Sequence, residues 1–431
     1  MRAASAKKQT IFLTLVNTVV RALGLLLRVL LSRALGAELM GVMELAQSVH
    51  MLAITPLTSG LPLAVSRMTA RAKSRDKMKP LHAALGLARL ASALLIPALL
   101  LLSPWLARLI GDVRALPSLW FTAPCSLILG YSGAYNGYSN GMEQSALPAL
   151  SELIEQAARL AISFALLRLL RKLTAPWLAA IPVAATMLAE LIGLAFVLCA
   201  LKLPRASERE ARSWRKPVLR LAAPTTLSRL VQTLLRSLTA MLIPLQLQRT
   251  GLPAAEATAR LGMYNGMVLP ILMLPCMFTS ALSMVALPKL AKAEDDPREL
   301  RRLLRLCAVA CLLVGVACAA ICWGTAPFLA NVAYRMPELT RLFRLGAPLA
   351  LLFAASHVAG GVTAALGQQK RAMYGSVLTS VLTLALTAAL TAVPTLRLAG
   401  VMLAQGVGQA LALAWQIGVI VLWARAKRHA K

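Results

Sequence analysis

Twelve apolar stretches divide the chain, and they constrain its fold more than any other feature. They run from Thr10 to Leu35, Leu39 to Ser66, Leu81 to Leu102, Leu116 to Tyr138, Leu147 to Leu167, Trp177 to Leu201, Leu221 to Leu247, Leu261 to Leu287, Leu303 to Thr325, Leu345 to Leu366, Met373 to Val393 and Leu398 to Trp423. Each reaches the roughly 20 residues that a helix needs to cross a bilayer. A backbone in hydrocarbon must satisfy its own hydrogen bonds, and apolar runs of this length do so as helices. The expected fold class is therefore an all-α polytopic membrane protein with about 12 transmembrane helices. Composition agrees: 58% of the 431 residues are hydrophobic and 14% charged, against about 25% charged in soluble domains. An acidic, solvated or single-anchor chain is excluded.

The formal charge of +30 would point to nucleic acid in a soluble protein, but in a membrane chain the bases first report topology. With an even number of spans both termini share a side, and the loops of that side hold 28 of the 46 Lys and Arg residues. The opposite loops hold 11 and the spans themselves 7, with Arg305 at the edge of the ninth span counted with its loop. The positive-inside rule then places both termini in the cytoplasm, and with no RNA or DNA motif beside the charge no nucleic-acid partner is expected. The start, Met1-Arg-Ala-Ala-Ser-Ala-Lys-Lys, has no small-residue cleavage site behind a short apolar core, which predicts a retained first helix. Cys307, Cys311, Cys318 and Cys322 share one face of one span. They are expected to be small packing residues rather than a disulfide or metal framework.

The two halves of the chain resemble each other. Arg21 and Arg28 in the first helix are seven apart, as are Arg229 and Arg236 in the seventh, and the second and eighth helices end in related strings, Gly60-Leu-Pro-Leu-Ala-Val-Ser-Arg67 and Leu282-Ser-Met-Val-Ala-Leu-Pro-Lys289. Six spans per half give a parallel internal repeat. The expected organisation is an N-lobe over residues 1–201, a basic cytoplasmic linker over 202–220, a C-lobe over 221–424 and a basic tail over 425–431.

Polar residues fall in stripes. Thr10, Thr14, Asn17, Arg21, Gly24 and Arg28 lie within about 80° on a helical wheel, as do Thr225, Arg229, Gln232, Arg236 and Thr239. The second helix adds Glu44, Gln47, Ser48, Thr55 and Thr58. An arginine at the bilayer centre costs at least ~2.5–3.5 kcal/mol, so four of them are not expected to face lipid. Two readings stay open: structural pairing or snorkelling, or an anion site, where guanidinium forks suit a phosphate. On the second reading Arg21, Arg28, Arg229, Arg236, Asn17 and Gln232 bind substrate. Membrane acids belong to the first six helices, so any proton or sodium coupling is expected at Glu44 or Glu190. Glu155 is expected to pair with Arg159 one turn on, and Glu190 has no base nearby in sequence.

Gly133, Gly137 and Gly141 have the four-residue spacing of close helix contact. Pro56, Pro62, Pro270, Pro275 and Pro288 are expected to break helices two and eight. No Walker loop, serine elbow, HExxH string or metal-ligand cluster occurs. No cofactor, metal or enzymatic activity is expected.

The strings Arg21-Ala-Leu-Gly-Leu-Leu-Leu-Arg28, Ser32-Arg-Ala-Leu-Gly36, Gly60 to Arg67, Gly137-Tyr-Ser-Asn-Gly-Met-Glu-Gln144 and Ser151-Glu-Leu-Ile-Glu-Gln156 resemble the polysaccharide-flippase branch of the multidrug/oligosaccharidyl-lipid/polysaccharide (MOP) superfamily, the branch of the stage V sporulation and lipid II flippases. The resemblance implies a two-lobed, alternating-access flippase of the bacterial cell membrane. Its partners would be the bilayer, an undecaprenyl-pyrophosphate-linked saccharide such as a peptidoglycan precursor, and cell-wall synthesis proteins. It also implies that Arg21 and Arg28 line the substrate cavity. Related flippases often have fourteen helices, whereas twelve are counted here. A multidrug cation antiporter of the same fold and a non-transporting scaffold in wall or spore-cortex synthesis are the alternatives.

Overall fold

The computed structural model describes residues 2–201, 208–293 and 296–429, and among these it contains helices and no strand. The helices are α1 (Arg2–Thr58), α2 (Gly60–Arg71), α3 (Lys79–Leu109), α4 (Leu116–Gly141), α5 (Ala146–Leu169), α6 (Ala175–Leu201), α7 (Glu208–Arg249), α8 (Ala254–Leu261), α9 (Leu269–Leu272), α10 (Pro275–Lys292), α11 (Pro297–Phe328), α12 (Leu339–Ala365), α13 (Gln369–Thr391) and α14 (Leu398–His429).

These account for the twelve apolar stretches. The first two are both contained in α1, which is interrupted at Gly36 (φ 74°, ψ 175°), a backbone region open essentially to glycine alone. Arg28 and Glu44, each eight residues from Gly36, meet at 2.7 Å; sixteen residues of straight helix would span about 24 Å. The chain therefore doubles back at Gly36. The second span ends as α2 beyond a break at Ser59, and the eighth is assembled from α8, a π-helical turn over Gly262–Val268, α9 and α10. Helices two and eight are thus both broken, with Pro275 opening α10, whereas Pro56 lies inside α1 and Pro288 inside α10 without ending them.

By length and composition, eight segments are apolar enough to cross a membrane. One of them, Ile11–Arg71, holds the first two spans, and α4, α5 and the broken eighth helix fall outside the eight. In α4 the reason is that Gly, Ser and Tyr occupy positions facing neighbouring helices: Gly130, Ser132, Gly137 and Tyr138 are buried. Outward faces elsewhere carry large apolar side chains, among them Leu94, Leu101, Trp105, Leu313 and Ile321, as lipid requires. This is a multi-pass membrane protein.

Two compact units divide the chain, Met1–Ser237 and Leu238–Lys431. Of the segment expected as a linker, residues 202–207 lie outside the described residues and 208–220 form the first turns of α7; of the tail, 430 and 431 lie outside them. In the first unit α4 is the hub, packed on α2, α3 and α6, with α5 on α6. In the second unit α12 takes that place, packed on α10, α11 and α14, with α13 on α14. The pairings correspond span by span, six positions apart, which is the internal repeat read as packing.

Helix association in a bilayer gains little from the hydrophobic effect and depends on close packing. The glycines of α4 supply it. A Cβ on Gly133 would stand 3.0 Å from the Pro62 ring, and one on Gly141 2.7 Å from the Ser66 carbonyl. In the second unit Cys307 and Cys311 of α11 pack with Ala354 and Val358 of α12, the packing role expected of them.

Candidate functional site

The first half of α1 buries Val16, Val20, Leu27 and Leu31, with Val16 and Val20 packed against Ala149 of α5. The polar stripe lies about 90° round the helix from that face. Gly24 marks the border, since a Cβ there would stand 3.2 Å from Gln156 Nε2. Along the stripe Asn17 is half-buried and Arg21 exposed, while Arg28 donates to Glu44 Oε1 at 2.7 Å. Glu44, an expected coupling residue, is therefore held by a guanidinium.

Within the first unit α7 packs against the second span. The Ser237 hydroxyl donates to the Ser48 carbonyl at 2.8 Å, and Thr55 Oγ1 donates to Thr233 Oγ1 at 3.3 Å. Further along, Gly60 lies against the Ala222 carbonyl and Thr226. Part of the polar face of the second helix is thus consumed in packing. On α7, Arg229, Gln232 and Arg236 lie about 60–120° round the helix from the Thr226, Thr233 and Ser237 seam. Arg229 and Arg236 are exposed and Gln232 half-buried. The second span is accordingly flanked by arginine stripes on both sides, through Glu44 toward α1 and along the Ser48 and Thr55 seam toward α7. Among the described residues no ion pair engages Arg21, Arg229 or Arg236. Because an interhelical hydrogen bond in a membrane contributes about 0.6 kcal/mol on average, Ser237→Ala is expected to lower thermal stability by about that amount. A drop beyond about 2 kcal/mol would mean that the seam carries more than this bond.

A second polar cluster corrects one expectation. Glu155 does not pair with Arg159. Its Oε1 accepts from the Ser151 hydroxyl at 2.7 Å, and that hydroxyl also reaches the Gly193 carbonyl at 3.2 Å. Arg159 instead donates to Glu190 Oε1 of α6 at 3.1 Å and to Gln156 Oε1 at 3.2 Å. Glu190, which has no base nearby in sequence, is 7% exposed and salt-bridged across the helices. The reason is geometric: α6 packs along α5, and Gly193, one turn from Glu190, leaves the space that Glu155 fills. The cluster holds two buried carboxylates and one guanidinium, with His50 and Cys125 within electrostatic reach of Arg159. Sequence reasoning named Arg159 and gave it the wrong partner. Its partner lies 31 residues away, so local spacing pointed to the wrong carboxylate.

Matching helix pairings in the two units and ionic residues set into apolar helices define a polytopic membrane protein of the MOP transporter fold. Solved structures bear out that class. A multidrug resistance MATE family transporter of the MOP superfamily in an inward-facing conformation superposes with a TM-score of 0.78 at 16% identity, covering 97% of this chain and 98% of that one. The lipid II flippase MurJ in an inward closed conformation gives 0.77 at 13% identity, covering 95% and 87%. Residues 6–294 match the polysaccharide biosynthesis protein family, and the chain belongs to it. Stage V sporulation protein B of Bacillus subtilis (strain 168) is 25% identical over 424 residues, 94% of this chain and 81% of that protein.

Proposed function

We propose that the chain is an alternating-access flippase that moves an undecaprenyl-pyrophosphate-linked saccharide, a peptidoglycan precursor or a related lipid-linked oligosaccharide, from the inner to the outer leaflet of the bacterial cell membrane, with both termini cytoplasmic. The observation that carries this reading is the set of arginines, Arg21, Arg229 and Arg236, left exposed in apolar helices and without ion pairs among the described residues. A guanidinium has only donors and stays charged, so in such a place it calls for an anion. A pyrophosphate offers several acceptor oxygens to paired forks. Asn17, Gln232 and Arg28 add donors along the same stripes. Family membership and the sporulation relative support a polysaccharide precursor over a cationic drug, which arginines would repel. Glu44 and Glu190 are the proposed coupling residues. Each already shares a guanidinium, so a bound proton or cation would compete with Arg28 or Arg159 for it.

Native mass spectrometry of protein purified from a bacterial membrane tests the reading. A polyprenyl-pyrophosphate lipid should co-purify with the natural sequence. Each charge-assisted bond contributes roughly 1.5–3 kcal/mol, so occupancy in Arg21→Ala/Arg229→Ala should fall by about tenfold or more. Equal occupancy in both, or none in either, would return the chain to the antiporter or scaffold readings.

A further inference from the structure

A cavity of about 780 Å³ in the second unit opens at the end where α14 begins, among the connections α7 to α8, α11 to α12 and α13 to α14. Four arginines line it, Arg260, Arg341, Arg344 and Arg397, against one carboxylate, Glu338. Arg260 is occupied with Glu338 at 3.0 Å and Glu256 at 3.1 Å, bracing α8 to the start of α12. That leaves three guanidinium groups without an acidic partner among the described residues.

Three features separate this cluster from ordinary surface charge. First, these connections belong to the set of loops that holds only 11 of the 46 bases, yet four of those bases converge here. Second, Arg397 has φ 46°, a left-handed backbone that a branched or long side chain adopts at a cost and glycine adopts freely. A long cationic side chain thus stands where the backbone favours glycine. Third, Arg344 stacks over Trp323 at 5.1 Å, which orients a planar fork while leaving its in-plane donors available. The volume falls in the range of small-ligand pockets, about 300–1,000 Å³.

We propose that this cavity is an anion-binding site for a phosphate group, carried either on a lipid headgroup or on a soluble phosphate. The proposal is independent of the flippase reading, because none of its residues belongs to the arginine stripes of α1 and α7. The test uses the full chain carrying Arg21→Ala/Arg229→Ala, so that binding at those stripes does not contribute. Isothermal titration with inorganic pyrophosphate and, separately, with short-chain phosphatidylglycerol measures affinity before and after Arg341→Gln/Arg397→Asn, with asparagine chosen because it tolerates a left-handed backbone. A rise in Kd of at least tenfold is expected, with Arg341→Lys/Arg397→Lys within about threefold of the parent and unfolding midpoints reported for each. Loss for the lipid alone assigns a headgroup site, loss for pyrophosphate alone a soluble ligand, and loss for both a phosphate site indifferent to its carrier. If neither probe binds, if affinity survives in the Gln/Asn variant, or if the Lys variant loses as much as the Gln/Asn variant, the proposal fails.

Discussion

Replacing Arg159 with leucine is expected to destabilise the protein by about 3–5 kcal/mol, the cost of leaving a buried ion uncompensated. Glu190 has 9% of its side chain exposed and takes its ion pair from Arg159, whose own side chain is 24% exposed. Glu155, 7% exposed, lies next to it. Without the guanidinium two carboxylates share one dry site, in which the Ser151 hydroxyl donates to Glu155. The unfolding midpoint in detergent, together with the fraction that stays monodisperse after heating, measures the effect. Arg159→Leu/Glu190→Leu should recover most of the loss, because an apolar pair of similar volume often equals or exceeds a buried salt bridge in stability. A single variant as stable as the parent, or a double variant no better than the single, would show that the cluster is wetter than its burial implies.

Gly137→Val should be nearly as damaging. A Cβ at this position would stand 2.9 Å from Pro62 Cα and 3.0 Å from its carbonyl carbon, so the obstacle is backbone and has no rotamer to change. α2 has nowhere to retreat, since on its other side a Cβ on Gly60 would already come within 2.9 Å of the Ala222 carbonyl carbon of α7. Overpacking typically costs about 1–3 kcal/mol, and a three-helix sandwich that is tight on both faces belongs at the top of that range. Gly24→Ala makes the contrast. Its nearest neighbour is the end of the flexible Gln156 side chain at 3.2 Å, and surface-like substitutions stay within about 0.5 kcal/mol. Melting curves of the two variants, run side by side, decide the matter. Equal midpoints would remove the glycine contacts as the organising feature of α4.

What the sequence could reveal was whatever repeats at short range. Runs of apolar residues located the spans, and the Gly133, Gly137 and Gly141 spacing anticipated the contact with α2. The paired strings of the two halves end the second and eighth helices, and α2 and α10 pack correspondingly on α4 and α12. Partners across helices were out of reach. Nothing in the string around Glu190 names Arg159, and the four-residue spacing of Glu155 and Arg159 favoured a pair that α6 prevents. The polar face of the second helix read as a single surface, whereas Ser48 and Thr55 are taken up by α7 and Glu44 by Arg28. The four arginines of the second unit's cavity come from α8, the start of α12 and the α13–α14 connection, spread over nearly 140 residues, so only the fold collects them.

The turn at Gly36 has no slack. Elsewhere the chain changes direction through several residues, where a gain or loss of one is absorbed by the loop at little cost. Here the reversal is made by one glycine between two spans, so an inserted or deleted residue would rotate everything after it by about 100°. Glu44 would swing away from Arg28, and Ser48 and Thr55 would leave α7. The length of this hairpin is therefore fixed to the single residue, and lineages of the chain should tolerate substitutions around it far more readily than insertions or deletions.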